Sequence, residues 1–273
     1  MSERRRRPRL LVFVVAYEAE ATIEAVLRRI PAALAAMAEV EILAIDDAST
    51  DRTFALADAM KRAGELPFPL HVRANPLNRG YGGNQKGGFR FAIDGGFDVV
   101  ALIHGDGQYA PEMLPTLVRP LLDDEADAVM GSRMLTRGGA RKGGMPLYKR
   151  VGNRILTALQ HRLLRARLSE FHSGYRLYSI AALRRIPFEL ATDGFHFDTE
   201  IIIQLLIAGQ RLRELPIPTF YGNEISRVDV LAYAWNVLSS SLQARAQALG
   251  LIHDRKFDCR PADDGAGQAR RGL

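Results

Sequence analysis

Two short acidic segments, each directly after an apolar run, carry residue types that can do chemistry. Asp46-Asp47-Ala48-Ser49-Thr50-Asp51 places three acids in six positions at the end of Val40–Ile45. A helix cap at Ser49 or Thr50 accounts for one or two of these residues, but not for three acids. A carboxylate at a strand end can accept hydrogen bonds from a base N–H or a ribose hydroxyl, which makes Asp46 and Asp47 candidate nucleotide contacts. The second segment is His104-Gly105-Asp106-Gly107-Gln108, which closes Val99–His104. A carboxylate and an amide oxygen are hard ligands, and Mg2+ or Mn2+ takes one or two protein groups plus substrate phosphates. Asp106 and Gln108 are the candidate metal ligands; the alternative is an ordinary Gly-Asp-Gly turn.

A third segment, Asn78-Arg79-Gly80-Tyr81-Gly82-Gly83-Asn84-Gln85-Lys86-Gly87-Gly88, is glycine-dense and runs into an apolar helical pattern. A ligand can pass close to such a backbone, with Gly80 and Asn84 as candidate contacts. It is not a Rossmann fingerprint, since it follows a third strand and lacks the last glycine. No Walker-type phosphate loop, His-Glu-x-x-His or Gly-x-Ser-x-Gly occurs, which removes the corresponding NTPase, zinc-protease and serine-hydrolase readings. The single cysteine, Cys259, forms neither an intrachain disulfide nor a cysteine zinc site.

The elements that must hold these segments follow from periodicity. Apolar runs at Leu10–Val15, Val40–Ile45, Leu70–Arg73, Val99–His104, Ala128–Gly131 and Leu212–Ile217 read as strands. Ile23, Val26, Leu27 and Ile30 repeat at helical spacing, as do Leu114, Leu117, Val118, Leu121 and Leu122, where Pro120 predicts a kink or early stop. Thr199–Ala208 reads as a further helix, ended by Gly209. Continuous apolar strands alternating with amphipathic helices predict an α/β fold, with a mostly parallel central sheet flanked by helices. Ligands then bind beyond the carboxyl ends of the strands, where the candidate segments fall.

The chain has 273 residues and a net charge of +6, but its cations are concentrated. Residues 133–167 hold ten Lys and Arg and no acid, and residues 1–9 hold five Arg, so the remainder is acidic. Such a block attracts phosphates, the alternative being a solvated basic helix. From Tyr148 to Leu168 it interleaves Val151, Ile155, Leu159 and Leu163 with its cations, predicting a basic amphipathic helix. That stripe has two readings, core packing or an anionic membrane surface, and both can hold on different faces. With Tyr148 its only aromatic, the block does not suggest nucleic-acid binding. We expect a basic arm at 1–9, a catalytic domain at 10–228, an amphipathic helix at 229–252 and a disordered tail at 253–273. The Arg4–Arg7 run and a barely seven-residue apolar core followed by Glu18 and Glu20 do not suit a cleaved signal, so a cytoplasmic protein is expected, with peripheral attachment to the inner membrane face as the membrane option.

Together these segments, in order, resemble family 2 glycosyltransferases of the GT-A fold, the Rossmann-like nucleotide-diphospho-sugar transferases, and most closely the dolichyl- and polyprenyl-phosphate sugar synthases. The match runs from about Leu10 to Ser240. It rests on Val15-Ala16-Tyr17-Glu18, the Asp46–Asp51 string, Asn78–Gly82, His104-Gly105-Asp106-Gly107-Gln108-Tyr109-Ala110-Pro111-Glu112, Gly131-Ser132-Arg133, Ser173-Gly174-Tyr175-Arg176 and Phe197-Asp198-Thr199-Glu200. The resemblance implies a nucleotide-diphosphate sugar donor held by Ala16, Tyr17, Glu18, Asp46 and Asp47, and Mg2+ or Mn2+ with the diphosphate at Asp106 and Gln108. It further implies Arg227 near the donor diphosphate and Arg133 at the acceptor phosphate, where the basic residues Lys149 and Arg150 join it as candidates. Two positions depart from the family pattern: His104 replaces the first metal-motif Asp, and Ala19 stands where the family has Glu.

The implied function is inverting transfer of a hexose from a GDP- or UDP-sugar to a polyprenyl phosphate. A phosphate acceptor is already anionic and needs no general base, whereas a soluble hydroxyl acceptor does. For a hydroxyl, the resemblance supplies Asp198 or Glu200 as base; a cap and a structural ion pair are the alternatives for these two. Arg176 is expected to hold its loop or touch a phosphate. A nucleotide-sugar-binding protein with degenerate catalysis is the further alternative, motivated by His104 and Ala19.

Overall fold

The computed structural model describes residues 6–136, 141, 143–218 and 229–259. Four strands, β1 (Arg9–Ala16), β2 (Glu39–Asp46), β3 (Leu70–Ala74) and β4 (Val99–His104), pair in parallel. With β5 (Ala128–Ser132), β6 (Arg176–Ser179) and β7 (Leu212–Pro216) they form one seven-stranded sheet, ordered β3-β2-β1-β4-β6-β5-β7. Only β6 runs antiparallel to its neighbours. The helices are α1 (Ile23–Arg28), α2 (Thr53–Ala63), α3 (Gly80–Asp94), α4 (Leu114–Leu122), α5 (Leu147–Leu164), α6 (Ile180–Leu183), α7 (Phe197–Ile207) and α8 (Val230–Ala248).

The continuous apolar runs have the cause the sequence suggests, since both faces of the sheet are covered. Leu10, Val12 and Val14 of β1 enter one core, while Leu11, Phe13 and Val15 enter the other. A third cluster joins Leu164, Phe171, Ile202, Ile203, Ala244 and Phe257 beneath α5, α7 and α8.

Several local expectations change. The glycine-dense segment is already helical from Gly80, and its glycines serve packing. A Cβ at Gly88 would lie 2.0 Å from Phe13 Cε1, so the missing side chain is what lets α3 lie on β1. Neither Ser49 nor Thr50 caps α2: Ser49 is held by Asp46, Thr50 by Glu18, and Asp51 accepts the Thr53 N–H at 2.9 Å instead. Helix α4 ends two residues beyond Pro120. Arg9, assigned by composition to the basic arm, already begins β1. Of the expected tail, residues 255–257 form a 3-10 turn that buries Phe257; residues 260–273 lie outside the described chain.

The largest change concerns α5. Its buried face carries Asn153, Thr157, Gln160 and Leu164, and packs with α8. Of the stripe, Val151, Ile155 and Leu159 point outward, so core packing is corrected for these three, whereas Leu163 is half-buried against the third cluster.

Candidate active site

Strand register gathers the candidates. In the sheet Ala16 lies beside Asp46, and Val15 beside His104. The loops are then stitched together, Asp47 N–H donating to Ala16 O at 2.9 Å and Gly105 N–H to Val15 O at 2.8 Å. The tips of β1, β2 and β4 thus bring Ala16, Tyr17, Asp46, Asp47, His104 and Asp106 to one edge of the fold, where doubly wound sheets bind ligands.

Most acids at this edge shape loops. Glu18, with φ of 50°, accepts from Thr50 N at 2.9 Å and Thr50 Oγ1 at 2.8 Å, tying the β1 loop to the β2 loop. Asp47 accepts from Asn75 Nδ2 at 2.7 Å and from the Arg79 N–H at 2.9 Å, fastening the entrance to α3. Asp46 accepts from the Ser49 hydroxyl and N–H, and burial raises its carboxyl pKa despite those bonds. Tyr17 is an exposed aromatic at this edge. Asn84 is buried, its Nδ2 donating to Ile45 O at 3.1 Å, so it anchors α3 to β2. Gly80 has φ of 78° beside Asp193, and Gly82 N–H donates to Asp193 O at 2.7 Å.

Asp106 is exposed at the tip of β4, one oxygen accepting the Gln108 N–H at 3.0 Å across the turn at Gly107. Among the described residues no three His, Cys, Asp or Glu side chains converge as a cage. A lone exposed carboxylate with an adjacent amide side chain fits an ion such as Mg2+ or Mn2+ that completes its shell with water and diphosphate oxygens.

Behind Asp106 lies a connected polar chain that sequence reasoning did not assemble. Tyr81 Oη donates to Asp198 Oδ2 at 2.9 Å, and His104 Nε2 lies 3.1 Å from the same Oη. The one phenolic proton goes to the carboxylate, so His104 Nε2 carries the proton donated to Tyr81. Burial lowers the His104 pKa, opposed by the charges of Asp106 and Asp198. Gln85 Nε2 donates to the other Asp198 oxygen at 3.2 Å. Arg176, 1% exposed, lies 3.6 Å from Asp198 and donates to the backbone oxygens of Ser173, Asp198 and Phe171 at 2.6 to 2.7 Å. These bonds tie the Phe171–Ser173 loop to α7. Tyr81 and Gln85 stood in the quoted glycine-dense motif; their partner Asp198, more than a hundred residues on, was beyond any local signal.

The acceptor-side candidates divide similarly. Arg133 is ion-paired to the buried Glu170, its Nε 3.0 Å from one oxygen and its backbone N–H 2.9 Å from the other. Burial would raise the Glu170 pKa, but the Arg133 charge and the bonds from Arg133 and Asn153 hold it below its ordinary value. Lys149 and Arg150 stand in the first turn of α5, the helix whose Asn153 Nδ2 donates to Glu170 at 2.8 Å. Glu200 accepts from Thr192 N at 2.7 Å, Ser240 Oγ at 2.9 Å and Lys256 Nζ at 2.9 Å, the structural ion pair that was one of its two readings. Arg227 lies outside the described residues, as do residues 137–140 and 142 before α5. Glu170 had one sequence signal, as the first acid after the acid-free run.

Among curated proteins, the undecaprenyl-phosphate mannosyltransferase of Micrococcus luteus is 31% identical over 191 residues, covering 70% of this chain and 75% of that one. The polyprenol monophosphomannose synthase of Mycolicibacterium smegmatis is 28% identical over 218 residues, covering 80% and 79%. Among solved structures, glucosyl-3-phosphoglycerate synthase from Mycobacterium tuberculosis, in complex with Mn2+, uridine diphosphate and glucosyl-3-phosphoglycerate, superposes with a TM-score of 0.64 at 21% identity, over 91% of this chain and 81% of that one. That likeness shows the shared fold. The family model described as glycosyl transferase family 2 matches residues 11–187, and with the relatives at this identity and coverage it places the chain in that family of enzymes.

Proposed function

We propose that this enzyme moves a hexose from a GDP- or UDP-sugar to a polyprenyl phosphate at a membrane surface, with inversion at the anomeric carbon. The observation that carries the reading is the state of the two carboxylates available as a general base. Asp198 is held by Tyr81, Gln85 and Arg176, and Glu200 by Thr192, Ser240 and Lys256. An acceptor phosphate oxygen needs no such base. The acid-free cationic segment after Arg133 and the activities named for the two bacterial relatives support the same acceptor class.

In this reading Tyr17 and the loops fastened by Asp46, Asp47 and Glu18 receive the nucleoside. Asp106 and Gln108 would hold Mg2+ or Mn2+ at the tip of β4. When bound, the ion neutralises charge building on the leaving diphosphate. Arg133, kept in place by Glu170, orients the acceptor phosphate for in-line attack; the sugar's bond to the β-phosphate oxygen breaks and its electron pair leaves with the diphosphate.

The test supplies radiolabelled GDP-mannose or UDP-glucose with polyprenyl phosphate and Mn2+. Label extracted into organic solvent supports the proposal. Label confined to water-soluble products overturns the lipid acceptor, and nucleotide binding with no turnover favours a binding protein.

A further inference from the structure

We infer that the outer face of α5, together with the Trp235 side of α8, docks this protein onto an anionic lipid bilayer. The inference deepens the proposed lipid-phosphate reading by naming the surface that meets the membrane, and its test does not depend on turnover. Helix α5 is largely inverted relative to an ordinary surface helix: its polar Asn153, Thr157 and Gln160 are buried beside Leu164, while Leu147, Tyr148, Val151, Ile155 and Leu159 are exposed. Leu147 is 66% exposed, Tyr148 64% and Ile155 56%, with Val151 and Leu159 also exposed. These positions occupy one third of the helix circumference, opposite the buried residues. Exposed large apolar residues scattered singly are ordinary, but a continuous stripe of five along one helix marks a surface that meets another apolar phase.

The charge pattern selects which phase. Helix α5 contains Lys149, Arg150, Arg154 and Arg162 and no acid, and Arg154 and Arg162 are exposed beside the stripe. Arg165 and Arg167 continue the exposed cations just past its end. An apolar stripe edged by cations fits acyl chains below and anionic headgroups around, with each cation near such a surface contributing about 1 kcal/mol. Helix α8, packed on α5, presents Leu231, Trp235 and Leu242 along one line, with Trp235 74% exposed, and carries no acid. Tryptophan with an apolar body and a polar N–H suits the headgroup boundary. Among the described residues no helix is long and apolar enough to cross a membrane, so this face is one that lies on a bilayer.

The docking face and the acceptor candidates share one helix. Asn153 on the inner side of α5 donates to Glu170, which holds Arg133. A bilayer against the outer side is therefore separated by the thickness of α5, about 10 Å, from the Asn153–Glu170 bond that supports the arginine proposed to receive the acceptor's phosphate.

The test is vesicle flotation of the full chain without donor or acceptor, using phosphatidylcholine vesicles with and without phosphatidylglycerol at low and high salt. The expected result is flotation with the anionic vesicles, weakened by salt. Ile155→Asp with Leu159→Asp is expected to weaken it at least tenfold, and Arg154→Gln with Arg162→Gln to remove most of the anionic preference; circular dichroism and thermal melting establish that each variant folds. Trp235 emission is expected to shift to the blue on vesicle binding. Failure of the wild-type chain to float, or unchanged flotation of the aspartate variant, overturns the inference. So does a concentration-dependent dimer that Ile155→Asp dissolves, which would assign the face to a second copy. Organic-phase product formed in detergent by a chain that does not float would overturn the docking face and leave the proposed function standing.

Discussion

The guanidinium of Arg133 is gripped by the fully buried carboxylate of Glu170, which bonds both its side chain and its backbone N–H. Breaking a buried pair by removing one partner strands the other charge, at a cost of about 3–5 kcal/mol. Glu170→Ala is therefore expected to lose that much stability in urea titration, with Asn153 also losing its acceptor. Arg133→Ala, made together with Glu170→Ala, is expected to recover part of the loss, so a double-mutant cycle reads the coupling. In the transferase assay Arg133→Ala is expected to raise the apparent KM for polyprenyl phosphate while leaving nucleotide affinity unchanged.

Asp106 is the exposed carboxylate at the β4 tip, and its replacement separates metal holding from folding. Asp106→Ala is expected to leave the melting temperature within a degree or two, because an exposed turn residue contributes little to packing. Manganese affinity in the presence of nucleoside diphosphate, read as free Mn2+ by electron paramagnetic resonance, is expected to fall sharply, and transfer by about a hundredfold or more. Undiminished manganese binding would move the ion elsewhere.

Asp198 and Glu200 stand two residues apart on α7 and are expected to respond differently from a general base. With a phosphate acceptor, Asp198→Asn should lower kcat by less than about tenfold, since it alters the Tyr81 and Gln85 bonds and removes the charge facing buried Arg176 but takes away no proton acceptor of the reaction; loss of a general base would cost about 10²–10⁴-fold. Glu200→Gln removes the charge facing Lys256 and is expected to lower stability by about 1–3 kcal/mol with little change in kcat. Steady-state kinetics beside thermal melts distinguish the two effects.

These assignments show where the sequence was informative. The apolar runs of β1, β2 and β4 were legible because strands covered on both faces need no alternation, and the register of those strands carried Asp46 and Asp106 to one edge. Strand β6 was not legible: Arg176 and Tyr178 interrupt its four residues, and its pairing with β4 and β5 is antiparallel and long-range. For α5 the i+4 apolar repeat established amphipathicity but not which side faces inward. That depended on Asn153 finding the buried Glu170, a tertiary partner no helical period encodes.

His172 gives the stability a pH dependence with a definite sign. Burial lowers its pKa from 6.5 to about 4, and its ring lies 3.0 Å from Tyr233 Oη. Below pH 6.5 the unfolded chain takes up a proton that the folded chain refuses, so stability is full above that pH and declines as pH falls toward 4. The loss attributable to this residue is about 3 kcal/mol. Burial shifts His104 and His196 the same way, so the wild-type slope over this interval includes all three. In His172→Asn the slope of unfolding free energy against pH is expected to fall by up to one proton's worth, whatever the variant's absolute stability.

Gly174 is expected to couple to His104. A Cβ at position 174 would lie 2.6 Å from His104 Cε1, 2.7 Å from Nε2 and 3.0 Å from Tyr81 Oη, so Gly174→Ala must push the ring away from Tyr81. Overpacking of this kind costs about 1–3 kcal/mol, and displacing the ring also breaks the Nε2–H bond that begins the chain to Asp198. His104→Ala alone is expected to destabilise as well, by leaving Tyr81 Oη without its donor and a space beside Tyr109. Combined, the two changes should cost less than their sum, because the methyl added at 174 enters the volume the imidazole vacates. Melting temperatures of the four proteins measure that coupling; strict additivity would mean that the loop at Gly174 moves aside and leaves His104 where it stands.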